Sequence, residues 1–81
     1  MKIFIYTIYD KVTSKFGDII LSHNEDDMKR KIAYAMQSNP YKGDLAVYYL
    51  GTYDVDSGKI ESIDPKFIVN VIELYSEADH V

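Results

Sequence analysis

The residues that most constrain this fold are 50–60, where strand-forming segments flank an Asp-Ser-Gly sequence. Glycine at the third turn position supplies the positive φ of a three-residue hairpin loop with a bulge, so Asp56, Ser57 and Gly58 predict a β-hairpin. Its strands are predicted over 44–53 and 59–63, where apolar and aromatic residues recur. Since a hairpin sets which residues face one another across two strands, this segment anchors the sheet.

Two strands and one helix are predicted before the hairpin. Residues 2–9 and 16–22 are rich in β-branched and aromatic side chains, which favour strands. Asn24 is a favourable N-cap, and the acidic residues at 25–27 suit the positive end of a helix dipole. Pro40 ends the helix, because proline lacks the N–H that helix continuation requires. The apolar face of this helix is predicted to consist of Met28, Ile32, Ala35 and Met36.

The segment after the hairpin is open to two interpretations. Asp64-Pro65 suits the start of a helix, with an acidic cap and proline at the first helical position. Residues 66–75 nevertheless include Phe-Ile-Val-Asn-Val-Ile, a composition typical of strands, and a fifth strand is the favoured prediction. Residues 77–81 are predicted to form a frayed tail.

The predicted fold class is α+β: a single small domain over 1–81, with a mostly antiparallel sheet of four to five strands and one amphipathic helix, in the order β-β-α-β-β-(β). The first strand is apolar on both faces, so it is predicted to be central. One short helix covers only one face of such a sheet. The other face must be polar or occupied, and tyrosines alternating along the strands point to an occupied face, although tyrosine is also simply a favourable strand residue.

Size and composition favour self-association. A chain of 81 residues buries only about 60% of the surface that its unfolded form exposes, so its core is marginal. Small domains often add disulfides, a metal or a partner chain, and the absence of cysteine removes disulfides and thiolate ligands. A homo-oligomer is therefore expected.

Charge and hydropathy narrow the classes of partner and compartment. The net charge of −4 argues against a general nucleic-acid binder, which usually has a basic surplus, so any contact with DNA needs a local basic patch. No apolar run approaches the length of a membrane span, and the first residues lack the layout of a signal peptide. We expect a soluble, cytoplasmic protein without a membrane partner.

One candidate binding surface combines basic side chains with tyrosines that are predicted to be exposed. Single-stranded nucleic acid is held in this way, because cations track the phosphates while aromatic rings stack on the bases. The alternative is a solvated helix face whose cations pair with acidic residues one turn away. The candidate nucleic-acid-binding residues are Lys29, Arg30, Lys31, Tyr34, Lys42, Tyr6 and Tyr48.

The sequence contains no pattern that predicts catalysis or metal binding. Asp54, Asp56 and Gly58 resemble part of a calcium loop, but glycine falls at the fifth position instead of the sixth, and the twelfth position is Pro65. His23 has no cysteine or second histidine nearby to complete a metal site. The protein is expected not to be an enzyme and to have no cofactor and no metal.

Several short motifs, taken in order, resemble one family. The motifs are Met1-Lys2-Ile3-Phe4, Ile8-Tyr9-Asp10-Lys11, Tyr49-Leu50-Gly51-Thr52-Tyr53-Asp54, Ser57-Gly58-Lys59-Ile60, Pro65-Lys66-Phe67-Ile68 and Ile72-Glu73-Leu74. With this spacing, nearly the whole chain resembles the small non-structural protein of gokushovirus-type microviruses (Microviridae), bacteriophages with circular single-stranded DNA genomes. One departure is that Gly17 follows Phe16 where the family commonly has Pro-Phe.

This resemblance implies an accessory protein for DNA binding or genome synthesis, made in the cytoplasm of the infected bacterial host and absent from the virion. It brings no catalytic residues. The expected function is to bind single-stranded DNA, or the viral replication or packaging complex, as a homo-oligomer, with viral replication or capsid proteins as further partners. The alternative is a protein-interaction module that docks a host or viral protein through its sheet face or edge, without DNA contact.

Overall fold

The computed structural model describes residues 1–78, which form four strands and two helices in the order β-β-α-β-β-α. The elements are β1 (Lys2–Asp10), β2 (Lys15–Ser22), α1 (Glu25–Met36), β3 (Leu45–Asp54), β4 (Ile60–Asn70) and α2 (Glu73–Ala78). A short 3₁₀ turn over Lys42–Asp44 precedes β3. The α+β prediction, with its β-β-α-β-β order, is confirmed.

All four strands form one antiparallel sheet in the order β2-β1-β3-β4. The first strand pairs with β2 on one side and β3 on the other, so the prediction that it is central is confirmed. β2 and β4 are the two edges. In β2 the register shifts opposite Ile8, where Gly17 and Asp18 form an irregularity of the bulge type.

The turn between β3 and β4 follows the predicted chemistry. Gly58 has a φ of +77°, and its N–H donates to the Asp54 carbonyl at 2.8 Å. The Asp54 carboxylate accepts a hydrogen bond from the Asp56 N–H at 2.9 Å, as in an Asx turn. The connection spans residues 55–59 and is therefore longer than the predicted three-residue loop.

The last strand is one continuous element and not, as predicted, a short fourth strand followed by a separate fifth. It runs through Pro65, so the alternative of a helix that starts at Asp64-Pro65 is also wrong. Proline is tolerated because β4 is an edge strand and its register shifts between the Tyr49 and Gly51 pairs. The second helix begins only at Glu73.

A glycine at the bend of β3 allows this close approach of β4. Gly51 has a φ of +141°, a conformation that other residues rarely adopt. A Cβ at this position would lie 2.0 Å from the Glu61 carbonyl oxygen, which is part of the β4 backbone. The two strands can therefore pair at this point only with glycine in β3.

The main helix begins as predicted, since the Asp27 N–H donates to Asn24 Oδ1 at 2.8 Å. Met28 and Ile32 are its buried residues. Ala35 was predicted on this face but is exposed, and Ala33 packs against the core instead. The reason is that α2 lies against the side of α1 that carries Ala33, where Tyr75 contacts the Ala33 carbonyl, and leaves the side of Ala35 uncovered.

The second helix is tied to the first by Tyr75, whose hydroxyl donates to the Ala33 carbonyl at 2.7 Å. Both helices cover the same face of the sheet, and the core lies between them and that face. Its buried members are Tyr6, Ile8, Met28, Ile32, Leu45, Val47, Val71 and Leu74. Within the described range, neither helix lies on the other face.

Two further sequence predictions concern the membrane and the tail. No helix within residues 1–78 combines the length and the apolar character that crossing a membrane requires. The predicted frayed tail, 77–81, begins within α2, and its residues 79–81 lie outside the described residues.

Candidate functional site

The three candidate DNA-binding cations of α1 are paired with acidic residues of the same helix. Lys29 Nζ lies 3.4 Å from Glu25 Oε2. Arg30 Nη2 and Lys31 Nζ lie 2.7 Å and 3.1 Å from the two carboxylate oxygens of Asp27. This geometry matches the alternative interpretation of the basic run, in which the cations pair with acidic residues one turn away.

Asp27 is the centre of this network, with a side chain that is only 12% exposed. The Ser22 hydroxyl donates to its carboxylate at 2.7 Å. This hydrogen bond, followed by those from Lys31 and Arg30, holds the pKa of Asp27 well below its usual range. The carboxylate is therefore ionised at neutral pH and keeps two of the cations occupied.

Two other candidate residues, Tyr34 and Lys42, lie in different surroundings. Tyr34 is 78% exposed on the solvent side of α1, one turn after Arg30. Lys42 Nζ donates to the Gln37 carbonyl at 2.9 Å and lies 4.6 Å from the centre of the Tyr75 ring. These contacts tie Lys42 to the C-terminal end of α1 and to α2.

Tyr6 does not occupy the surface position that was predicted for it. It is 4% exposed, and its ring packs against Tyr49 with centroids 5.5 Å apart. Burial raises the pKa of its hydroxyl. Tyr6 lies on the strand face that the helices cover, so it is a core residue and cannot stack on a base.

Tyr48 lies on the opposite face, which we term the helix-free face. Strand alternation and cross-strand register assign to this face the residues that alternate with the core residues. They are Ile3, Ile5, Thr7 and Tyr9 of β1, Phe16, Ile19 and Leu21 of β2, Ala46, Tyr48, Gly51 and Tyr53 of β3, and Ile60, Ser62, Phe67 and Asn70 of β4. No side chain in this set carries a charge.

An aromatic row, defined as Phe16, Tyr9, Tyr48 and Phe67, crosses all four strands of this face. Its ring centroids are 4.7 Å apart between Phe16 and Tyr9, 5.4 Å between Tyr9 and Tyr48, and 5.8 Å between Tyr48 and Phe67. The rings are tilted or edge-on to one another, which is the favourable geometry for aromatic pairs. The row therefore forms a connected aromatic surface.

The helix-free face has two levels of exposure. Ile5, Thr7 and Ala46, on the central strands, are buried among larger neighbours. On the edge strands, Ile19 is 64% exposed and Phe67 is 48% exposed. An apolar surface with this much exposure is unusual for a soluble protein that works alone.

The candidate residues therefore do not converge on one site. Lys29, Arg30, Lys31 and Tyr34 lie on α1, and Tyr48 lies across the sheet from that helix. Because the sheet separates them, a single strand of DNA cannot contact Tyr48 and the helix cations within one compact site. Tyr6 lies inside the layer between the two surfaces.

Sequence reasoning missed the other members of the helix-free face, above all Phe16, Ile19 and Phe67. The periodicity of each strand assigns its residues to one side of that strand, but it does not show which sides of different strands form one surface. Phe67 lies in the segment for which a strand is the favoured prediction and a helix is the alternative. The strand order that brings β2 and β4 to opposite edges of one face is not encoded in local periodicity.

The acidic hairpin is used for contacts within the chain. Asp54 accepts from the Asp56 N–H, and this hydrogen bond lowers the pKa of Asp54. Both carboxylates also contact the amino group of Met1. Across residues 1–78, no three metal-ligating side chains come together as a group that could hold an ion.

Comparison with known proteins gives one match. A family model described as Phage ORF5 protein matches residues 3–74. No curated protein and no solved structure matches the chain. The matched range extends from β1 into α2 and so contains both the helix cations and the helix-free face.

Proposed function

The chain belongs to the Phage ORF5 protein family, and from this premise we propose that it is a non-enzymatic phage accessory protein that binds another protein through its helix-free face. The observation that carries the proposal is that this face is largely apolar, aromatic and uncharged, and that its large apolar side chains on both edge strands are exposed. Apolar surface with exposed large side chains of this kind is typical of protein docking sites. The narrower identification with gokushovirus-type microviruses, and with the host cytoplasm, is part of the proposal and rests on the motifs quoted above.

The chemistry of the helix-free face favours a protein over DNA as its occupant. A site for single-stranded DNA combines stacking rings with cations that track the phosphates. The aromatic row supplies rings, but no residue of this face is a cation. A protein partner with apolar side chains needs no charged group on this face. On docking it would bury the exposed side chains of Ile19 and Phe67, which is favourable.

Position-specific photo-crosslinking in infected cells tests this proposal. A photoreactive benzoylphenylalanine replaces Phe67 on the helix-free face or, as the matched control, Tyr34 on α1. We expect position 67 to crosslink to protein, whether another copy of the chain or a different protein, and position 34 to give none. Crosslinks to DNA from position 67, or no crosslink from that position, would overturn the proposal.

Binding of single-stranded DNA through α1 is the second candidate function. One observation favours it: Arg30 is 81% exposed and Tyr34 is 78% exposed, one helical turn apart, so a cation and a ring are available side by side. The ion pairs to Asp27 and Glu25 weigh against it, because a phosphate must compete with a carboxylate for each cation. In this proposal the DNA would lie across the outer surface of the helix.

A titration of the full chain with fluorescent oligo-dT at two salt concentrations tests this candidate. If it is right, Lys29→Ala/Arg30→Ala/Lys31→Ala weakens binding and lowers the salt dependence, whereas the control Lys59→Ala/Lys66→Ala leaves both unchanged. An absence of binding at about 50 mM salt, or equal effects of the two variants, would exclude it.

A further inference from the structure

We infer that the partner bound by the helix-free face is a second copy of this chain, so that two sheets pack face to face with their helices on the outside. This inference rests on the proposed function, because it identifies the protein that the face binds. It makes the sheet the inner layer of a homodimer, and four observations support it.

The first observation is that the area of the face approaches that of a dimer interface. β1 and β4 have 9 and 11 residues. At a rise of about 3.3 Å per residue these strands are about 30 to 36 Å long, and four strands about 4.8 Å apart make a sheet about 19 Å wide. The flat area is then about 600 Å², to which side-chain relief adds, and a standard interface buries about 800 Å² on each partner.

The second observation is that the chemistry of the face matches itself. Two copies would bring together apolar side chains, aromatic rings, a few hydroxyl groups and the amide of Asn70 at one end of β4, and no charge would be buried. The charged residues behind the net charge of −4 all lie outside this set, so like charges are not placed opposite one another. A strongly acidic or basic partner would find no charge to pair with.

The third observation is that the helix-free face forms one half of an apolar layer, which a second copy of the chain would complete. Ile5, Thr7 and Ala46 are 6%, 1% and 2% exposed, although neither α1 nor α2 covers them. They are the floor of a second apolar layer whose upper side chains, such as Ile19 and Phe67, remain exposed. Sheets packed face to face about 10 Å apart bury such side chains between them. A second core of this kind supplies what a small domain lacks.

The fourth observation is that the edges of the sheet are poorly suited to pairing. β4 carries Pro65, which cannot donate a backbone hydrogen bond, and its register shifts around that residue. β2 is interrupted at Gly17 and Asp18. The face of the sheet, unlike its edges, therefore offers a surface for association. A two-fold axis near Tyr48 would place the aromatic row of one copy against that of the other.

Sedimentation velocity of the full chain, over a range of concentrations, tests the inference. The wild type is expected to be a dimer at about 100 µM. Ile19→Glu, on the helix-free face, is expected to raise the dimer dissociation constant about 100-fold or more, because a two-fold interface buries each substitution twice. Val12→Glu is the matched control: the same chemical change, on a residue that is 73% exposed in the β1–β2 turn, is expected to have no effect.

Phe67→Glu, on the opposite edge strand, gives an independent second variant and should also dissociate the dimer. Circular dichroism confirms that each variant is folded. A monomeric wild type at about 100 µM, or equal dimerisation of Ile19→Glu and Val12→Glu, would overturn the inference. If the pure chain is a monomer and position 67 still crosslinks to a different protein in infected cells, the inference fails while the proposed function stands. If position 67 crosslinks to no protein, the proposed function itself fails.

Discussion

On the helix-covered face of the sheet, Ile8 and Val47 are 7% and 0% exposed, whereas on the helix-free face Ile19 and Phe67 are 64% and 48% exposed. Both pairs are apolar and belong to one four-stranded sheet. The difference arises because α1 and α2 cover only one side. This difference teaches that apolar residues on one side of a strand indicate a face that is to be buried. They do not indicate whether the same chain or a partner buries it.

The largest effect is expected from a change that disrupts the pairing of β3 with β4, because both faces of the sheet depend on that pairing. Gly51→Ala forces a Cβ to 2.0 Å from the Glu61 carbonyl oxygen and places alanine at a φ of +141°. We expect a loss of about 4 kcal/mol or more in the free energy of unfolding, from strain and overpacking together. Urea denaturation measures it, with Gly43→Ala as control, since a Cβ there meets nothing within 4 Å. Equal losses in the two variants would contradict this account.

The next change compares the two faces directly. Ile32 is 1% exposed beneath α1, so Ile32→Ala is expected to cost about 3 kcal/mol through lost burial and a cavity. Ile19→Ala removes the same atoms from the helix-free face. At concentrations low enough to dissociate the proposed dimer, it should cost about 0.5 kcal/mol or less. Chemical denaturation at two protein concentrations measures both, and a large, concentration-independent cost for Ile19→Ala would mean that the face is covered within the chain.

A smaller effect is expected within the helix-free face itself. The Thr7 hydroxyl donates to the carbonyls of Gly17 and Asp18, at 3.2 Å and 3.0 Å, and so joins β1 to the irregular part of β2. Thr7→Val retains the shape but removes this donor, so we expect a loss of about 1 kcal/mol. Thermal unfolding measures the loss, and Thr13→Val, in the exposed turn, is the control. If the two variants melt alike, the hydroxyl does not hold the strands together.

The smallest effect is confined to acid. The lowered pKa of Asp27 means that its hydrogen bonds stabilise the fold fully above the ordinary aspartate pKa, about 3.9, and progressively less as the pH falls below it towards the folded-state pKa. Asp27→Asn is therefore expected to flatten the pH dependence of unfolding below about pH 4. Ser22→Ala, which removes the main donor, should shift the acid transition of the wild type to higher pH. An unchanged acid transition in both variants would contradict this assignment.

Much of the fold could be predicted from sequence, because local interactions determine it. The Asn24 cap, the turn glycine at position 58 and the strand alternation act over a few residues, and each prediction was confirmed. After Pro65 the favoured prediction of a strand was right in type, but the strand is continuous with the fourth and ends at Asn70, because pairing with β3 extends across Pro65 and outweighs the helix-start pattern of the alternative. Interactions between neighbouring residues determine where helices, strands and turns form, and pairing between distant strands determines how long the strands become.

The candidate site was harder to predict, because it depends on which face the helices cover. Alternation put Tyr6 and Tyr48 on known sides of their own strands, but gave no indication that Tyr6 faces α1 and Tyr48 faces away from it. The contact between Phe16 and Tyr48, with ring centroids 5.4 Å apart, joins residues of non-adjacent strands. Only the strand order β2-β1-β3-β4 makes that contact possible.

Pro65 has a consequence for the stoichiometry of assembly. Open-ended polymers such as fibrils grow when each new chain adds its strand to the edge of the last one. Pro65 has no backbone N–H and lies where the register of the outer strand β4 shifts, so this edge is irregular, and the irregular β2 interrupts the other edge. Addition of further chains at the sheet edges is thus disfavoured, while face-to-face pairing is complete with two chains. Self-association through the proposed interface is therefore expected to reach a plateau at two copies as the concentration of the chain rises.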